Sequence, residues 1–360
     1  MPPPNRILLV IMPLIGDVIL ATPLLRTLRR AYPQAVIDAL VYQGHGAVLA
    51  GNPDLNQVLE VTERPRGREL LDLFRRLFRH YDLSFCNSTS DRKILYAVLA
   101  ARRCITLVPA PRWQDAWKRF SSYGWTELDD QYTHTVVQNL RLADLLGIAR
   151  CHEVMVPHAE KALQTLEDLL PFNPSVEPYA VLHMAPRWHY KRWTHCGWRT
   201  LAKHLIHRGL RVVLTGGGDK QELEYIGAIF AEIPAGMSNL AGKLSFAEVT
   251  RLIETCQVYV GPDTAITHIA AATGAPTVAL FGPTNPLKWA PWPHGYAGNH
   301  PPFPKVGSRR VNNVFLVQGE GECVPCHEEG CEGHKLSSSR CLLELDSERV
   351  INAVDTFVCQ

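Results

Sequence analysis

Short apolar runs alternate with helix-period segments along almost the whole chain, and the alternation is laid down twice. In the first half RILLVIM (6–12), AVIDALVY (35–42), QVLEV (57–61), YDLSFC (81–86) and CITLV (104–108) read as strands. Helical patterns from about residue 18 to 31 and at 67–79, 91–101 and 134–147 lie among them. Strands separated by helices predict a parallel sheet with helices on its faces. The second half repeats the plan, with strands YAVLHM (179–184) and LRVVLT (210–215) and helices at about 196–208, 219–231 and 246–255. Between the halves, 157–178 ends in a proline-rich linker. The expected fold class is α/β, with two Rossmann-like domains of parallel sheets facing each other across a cleft. The expected domains are 1–172 and 173–345, followed by a helix in 346–360, SERVINAVDTF, that crosses back to the first domain.

With 360 residues, each half is long enough to bury its own core. No apolar run reaches the roughly 20 residues that span a bilayer. ILLVIMPLIG lacks a basic flank and runs straight into Asp17, so no signal peptide is expected and the chain is placed in the cytoplasm. A dinucleotide site needs G-x-G-x-x-G directly after the first strand, whereas the turn here, PLIGD, has one glycine. LTGGGDKQE (214–222) has the wrong spacing, which argues against an NAD enzyme and leaves the triple glycine as a loop of close backbone approach.

Net charge is only +2, but its distribution is uneven. Residues 1–61 hold four Lys/Arg and four Asp/Glu, whereas 62–119 hold thirteen against six. Part of that excess fits a solvated helix face, since RRLFRH (75–80) has helical spacing. Arg64, Arg66 and Arg68, then PRWQDAWKRF (111–120) with Trp113 and Trp117, sit in loop-like sequence and suit a phosphate-bearing or membrane-surface partner. No nucleic-acid-binding motif accompanies them, so nucleic acid is not expected. Of the ten cysteines, Cys86, Cys104, Cys151, Cys196, Cys256 and Cys359 are scattered as small buried hydrophobes would be. Cys323, Cys326, Cys331 and Cys341 form C-x2-C-x4-C-x9-C beside His327 and His334, a spacing that reads as a zinc or iron site or as a reduced cluster.

The stretch VGPDTAITHIAAATGAPTVALFGPTNP (260–286) concentrates the chemistry. Val258 to Val260 end a strand, Gly261-Pro262 break it, and Asp263 falls where a helix N-cap belongs. The helix Thr264–Thr273 stops at Gly274, and a second apolar run, Pro276–Phe281, stops at Gly282-Pro283. Thr264 and His268 lie four apart on one face near the positive end of the helix, which suits an anion. A cap and a satisfied core histidine would also explain Asp263 and His268; their position beyond strand carboxyl ends, where open α/β sheets bind ligands, favours a site.

Together with IGDVILATPLLRTLR (15–29), K-R-W (191–193) and LTGGGD (214–219), this block resembles glycosyltransferase family 9, the lipopolysaccharide heptosyltransferases, and most of all the branch that adds later inner-core heptoses. The resemblance implies a GT-B fold, ADP-heptose held by the carboxyl-terminal domain, a lipopolysaccharide-core acceptor held by the amino-terminal domain, and inverting transfer with no metal or other cofactor. Such a transfer needs a base at the acceptor hydroxyl and positive charge around the departing diphosphate. Asp17, opening a helix after the first strand, matches the family's catalytic aspartate and could also cap that helix; Gly16, Arg64, Arg66 and Arg112 are the acceptor-binding candidates. Lys191 matches the lysine on the diphosphate, with Asp263, Thr264, Ala265 and His268 beside it. Asp219 falls where the family's ribose-binding acid lies, and Lys243 and Leu244 where its adenine-contacting loop lies. Trp188, His189 and Tyr190 just before Lys191 could line a sugar or simply pack, which leaves the donor sugar open.

Two alternatives remain on this reading. Related transferases that heptosylate autotransporter proteins carry an iron-bound cysteine cluster, so the cysteine tail keeps a protein acceptor open, as well as another nucleotide sugar. A non-catalytic scaffold is the alternative of another class, against which Asp17 and Lys191 weigh. Contact with the inner-membrane surface is expected to be peripheral.

Overall fold

A computed structural model describes residues 3–12 and 14–358. The chain divides into two compact units, Met1–Pro157 with Ala297–His300, and His158–Tyr296 with Pro301–Gln360. In the first unit the order is β1 (Arg6–Val10), α1 (Ile15–Leu20), α2 (Thr22–Ala31), β2 (Val36–Tyr42), β3 (Gln57–Val61), α3 (Gly67–Leu77), β4 (Tyr81–Cys86), α4 (Asp91–Ala100), β5 (Ala101–Val108), α5 (Ala116–Ser121), β6 (Gly124–Glu127) and α6 (Thr135–Asp144). Its six strands are parallel, in the order β3-β2-β1-β4-β5-β6, so the winding reverses between β1 and β4. Every residue of β1 after Arg6 is buried, as expected of a strand covered on both faces.

The helix expected over 18–31 is two helices. Pro23 lies in the first turn of α2, where it has no N–H to offer the preceding turn, and the chain restarts its helix after Ala21. The stretch 111–120, expected as loop, forms a 3-10 turn at Trp113–Asp115 and then α5. Lys118 anchors it from a buried position: its ammonium meets Asp115 at 2.6 Å and Asp91 at 2.8 Å and donates to the Thr89 carbonyl at 2.8 Å.

The second unit runs α7 (Ala162–Leu169), β7 (Tyr179–His183), α8 (His195–His207), β8 (Arg211–Thr215), α9 (Lys220–Ile229), β9 (Met237–Asn239), α10 (Phe246–Glu254), β10 (Val258–Pro262), α11 (Ala265–Thr273), β11 (Thr277–Phe281), α12 (Pro286–Trp289), β12 (Arg309–Val311), β13 (Val314–Gln318), α13 (Arg340–Leu343) and α14 (Ser347–Val358). The sheet order is β12-β13-β11-β10-β7-β8-β9, parallel except for the β12–β13 hairpin at one edge. Here the winding reverses between β7 and β10.

Three expectations change. The boundary placed at 172/173 falls at 157/158, because α7, which precedes the proline-rich linker, buries Ala162 and Leu166 and packs on α10 of the second unit. Gly261 and Pro262 do not break β10; they pair with Ala279 and Leu280 of β11, while β7 pairs only as far as Val260, so the proline sits past the two-sided part of the ladder. The helix expected to cross back to the first domain stays in the second unit: α14 buries Val350, Ala353 and Val354 against that unit's core, and Asp355 meets His204 of α8 at 2.8 Å.

Candidate active site

In the second unit the strand order makes neighbours of the carboxyl ends of β7 and β10, the reversal point where open α/β sheets bind ligands. After β7 the chain makes a 3-10 turn, His189–Lys191; after β10 it passes directly to Asp263. The Lys191 ammonium and the Asp263 carboxylate meet at 2.5 Å, with side-chain exposures of 19% and 8%. His268, buried one turn into α11, brings Nε2 to 4.0 Å from the other Asp263 oxygen. The cap of α11 is Thr264, whose hydroxyl accepts the Thr267 N–H at 3.4 Å, and not Asp263 as the spacing suggested. Thr264 can cap because it is the residue with extended backbone before the first helical one. Asp263 is thereby left to hold the lysine.

Burial pushes the Asp263 carboxyl up, but the Lys191 charge, the neighbouring His268 ring and hydrogen bonds from Lys191 and Thr284 outweigh it and hold the group below the usual carboxylate range. Burial pushes His268 down to about 4, against the pull of Asp263. His268 is therefore neutral at pH 7, and Lys191 is the partner that keeps Asp263 ionised. The group as a whole presents a partly exposed ammonium next to the amino terminus of a nine-residue helix, a place suited to a phosphate.

Asp219, Lys243 and Leu244 lie one and two strands further along the same sheet edge. Asp219 caps α9 by accepting the Gln221 N–H at 2.9 Å and is otherwise exposed. Lys243 and Leu244 follow β9 in a loop laced to the glycine loop after β8, where Gly242 N–H donates to the Gly216 carbonyl at 2.9 Å. The positive φ of Gly242, 73°, and its close approach to Gly218 explain the glycines there. Two residues of this unit escaped the sequence reading. Glu222, pushed up by burial, accepts the Gly217 N–H at 2.6 Å and shapes this loop; Thr284 completes the hold on Asp263. The GPTNP turn at a strand end was the available signal for Thr284; Glu222 left none.

Trp188 is engaged in packing with the Arg187 guanidinium and the Lys335 ammonium, each 4.7 Å from its ring centroid. The Tyr190 carbonyl accepts from the Ser339 hydroxyl at 2.7 Å, and His327 N–H donates to the Pro283 carbonyl at 2.9 Å. The cysteine-bearing segment thus braces both the Lys191 loop and the turn after β11. Cys323, Cys326, Cys331 and Cys341 are free thiols; burial and then the other three push Cys341 up to about 11. Among the described residues no group of three or more His, Cys, Asp and Glu is arranged to hold a metal ion. Cys196, expected to be buried, is exposed on the first turn of α8, and Cys359 lies outside the described residues.

In the first unit Gly16 and Asp17 occupy the first turn of α1, after β1. Asp17 does not cap the helix by opening it, as expected; it is the third helical residue and folds back to accept the N–H of Leu14, the capping position, at 3.1 Å. Arg64 and Arg66 follow β3 and Arg112 follows β5, all exposed and all at the carboxyl edge that also carries Asp17. Lys93 of α4, overlooked within the basic run, feels the Asp17 charge, although burial is the larger influence and lowers its pKa.

Two doubly wound α/β units with candidate residues at the carboxyl edge of each sheet have the GT-B fold, and the family match makes the chain a glycosyltransferase. Glycosyltransferase family 9 (heptosyltransferase) matches residues 84–309, and the chain belongs to that family. It is 31% identical to lipopolysaccharide heptosyltransferase 3 of Escherichia coli K12 over 320 residues, 84% of this chain and 90% of the relative. Among solved structures it resembles a family 9 glycosyltransferase of Veillonella parvula (TM-score 0.77, 18% identity, 99% of this chain and 97% of that one). It also resembles the E. coli ADP-heptose lipopolysaccharide heptosyltransferase II (TM-score 0.74, 21% identity, 99% of both chains). No helix among the described residues is long and apolar enough to cross a membrane.

Proposed function

We propose that this protein transfers heptose from ADP-heptose to an inner-core sugar of lipopolysaccharide, with inversion, in the cytoplasm and in peripheral contact with the inner membrane. The observation that carries the donor side is the Lys191–Asp263 pair at the β7/β10 reversal, in a family whose relatives are named for ADP-heptose and lipopolysaccharide. Lys191 and the N–H groups of Thr264, the cap, and Ala265, the first helical residue, meet the charge that develops on the departing diphosphate. Asp263 holds the ammonium in position before the donor arrives, and neutral His268 can donate to a donor oxygen. Asp219 takes the ribose hydroxyls, and the Lys243–Leu244 loop takes the base. On the acceptor side Asp17 removes the hydroxyl proton as the new glycosidic bond forms and ADP leaves, while Gly16, Arg64, Arg66 and Arg112 hold the acceptor.

A thermal-shift panel tests the donor assignment. ADP and ADP-heptose should stabilise the protein more than UDP, GDP or their sugars; a ligand at 100 times its Kd adds roughly 2.7 kcal/mol. Equal shifts for the three nucleotides would remove the adenine assignment.

A further inference from the structure

The first unit carries an apolar surface that its fold does not use. On α3 and its C-cap Phe78, Leu73 and Leu77 turn inward, while Leu70, Leu71, Phe74 and Phe78 stay exposed. At about 100° per residue these four span one continuous arc beside the buried stripe. Phe74 and Phe78 stack on each other at 5.0 Å, 43% and 51% exposed. α4 touches both α3 and α5, so the three helices form one layer, and α4 adds exposed Leu95. At the α5 end of that layer Trp113 is 83% and Phe120 is 90% exposed.

Positive charge surrounds these side chains. Arg68 and Arg75 border the apolar arc of α3, Arg76 and Arg79 follow, and Arg92 lies in the first turn of α4 after Asp91, which is paired with Lys118. The acidic residues of α3 are engaged locally: Glu69 accepts from the N–H and hydroxyl of Thr62 at 2.9 Å each, and Asp72 meets Arg75 at 3.3 Å. Exposed aromatic and aliphatic side chains ringed by arginine match an anionic lipid surface, where rings enter the headgroup layer and guanidinium groups meet phosphates. Protein–protein docking is the weaker fit, because thirteen cations against six anions in residues 62–119 call for a strongly anionic partner.

We infer that the outer face of α3, α4 and the 113–120 segment docks on an anionic phospholipid bilayer. The inference deepens the membrane contact proposed above and takes its biological sense from a lipid-linked acceptor. Its test contains neither nucleotide nor acceptor, so it can fail independently of the transfer assignment.

The full chain is sedimented with phosphatidylcholine vesicles, with and without phosphatidylglycerol. Binding is expected on the anionic vesicles alone and should weaken as salt shortens the screening length from about 10 Å at 0.1 M to about 3 Å at 1 M. Phe74→Glu with Phe120→Glu, and separately Arg68→Gln with Arg75→Gln, should each lower the partition about tenfold or more, at unchanged melting temperature and ADP-dependent stabilisation. These side chains are exposed, so both variants should fold. Equal binding to both vesicle types, or full binding by either folded variant, would overturn the inference. A dimer without lipid that Phe74→Glu with Phe120→Glu dissolves would also overturn it, by making the face an interface between copies.

Discussion

Replacing Lys191 by alanine tests the electrostatics of the candidate donor site without any substrate. The substitution leaves Asp263, with 8% side-chain exposure, next to a histidine that is neutral at pH 7. Removing one partner of a buried ion pair typically costs about 3–5 kcal/mol. Lys191 is itself 19% exposed, and the Thr284 hydrogen bond survives. Water admitted to the site and that hydrogen bond lower the expected cost to about 2–3 kcal/mol at pH 7.5. For a unit of this size that is a fall in Tm of about 4–12 °C.

The pH dependence is the sharper readout. In the native protein Asp263 titrates below its unfolded value, so its stabilisation is present above the unfolded pKa and is lost as pH falls through the folded one. In Lys191→Ala, burial, the largest influence on Asp263, is no longer opposed by the ammonium, and the folded pKa rises above the unfolded value. The variant then recovers stability relative to the native protein as pH falls. His268 adds to this recovery, because the Lys191 charge that helps hold it near 4 is gone while the pull of Asp263 remains. The Tm gap should therefore be widest near pH 8 and narrow toward pH 5, measured by differential scanning fluorimetry in constant ionic strength. Lys191→Ala with Asp263→Asn should recover at least half of the loss at pH 7.5, since no charge is then stranded. A gap independent of pH, together with a double variant no more stable than the single one, would refute the reasoning.

Two further outcomes are expected. Asp17→Asn keeps an oxygen that can accept the Leu14 N–H, so Tm and ADP affinity should hold while heptose transfer to a truncated core acceptor falls about 10²- to 10⁴-fold; near-normal turnover in the folded variant would take Asp17 out of the mechanism. Gly242→Ala places a Cβ 3.1 Å from Gly218 Cα at a φ of 73°, so it should cost about 1–2 kcal/mol in thermal melts and weaken ADP binding; an unchanged ADP affinity would show that this loop does not contact the nucleotide.

What the sequence determined by itself was local. Apolar runs with a two-residue or 3.6-residue period, punctuated by glycine and proline, marked β1, β7, β10 and β11 and put Asp17, Lys191 and Asp263 just past strand ends, because periodicity and turn chemistry act over a few residues. Where two local signals competed, short-range pattern did not separate them. Asp263 and Thr264 both have capping chemistry; the extended backbone at Thr264 gives it the cap, and Asp263 instead meets a lysine 72 residues away. The tertiary structure alone decided that β7 and β10 are neighbours, although β8 and β9 lie between them in sequence; without that strand order Lys191 and Asp263 would not meet. It also decided that α7 joins the second unit and that α14 stays there, since both depend on which buried face finds a partner. Strand order and helix docking are chosen by long-range burial, whose energy is shared among residues far apart in the chain and leaves no trace in any one short stretch of it.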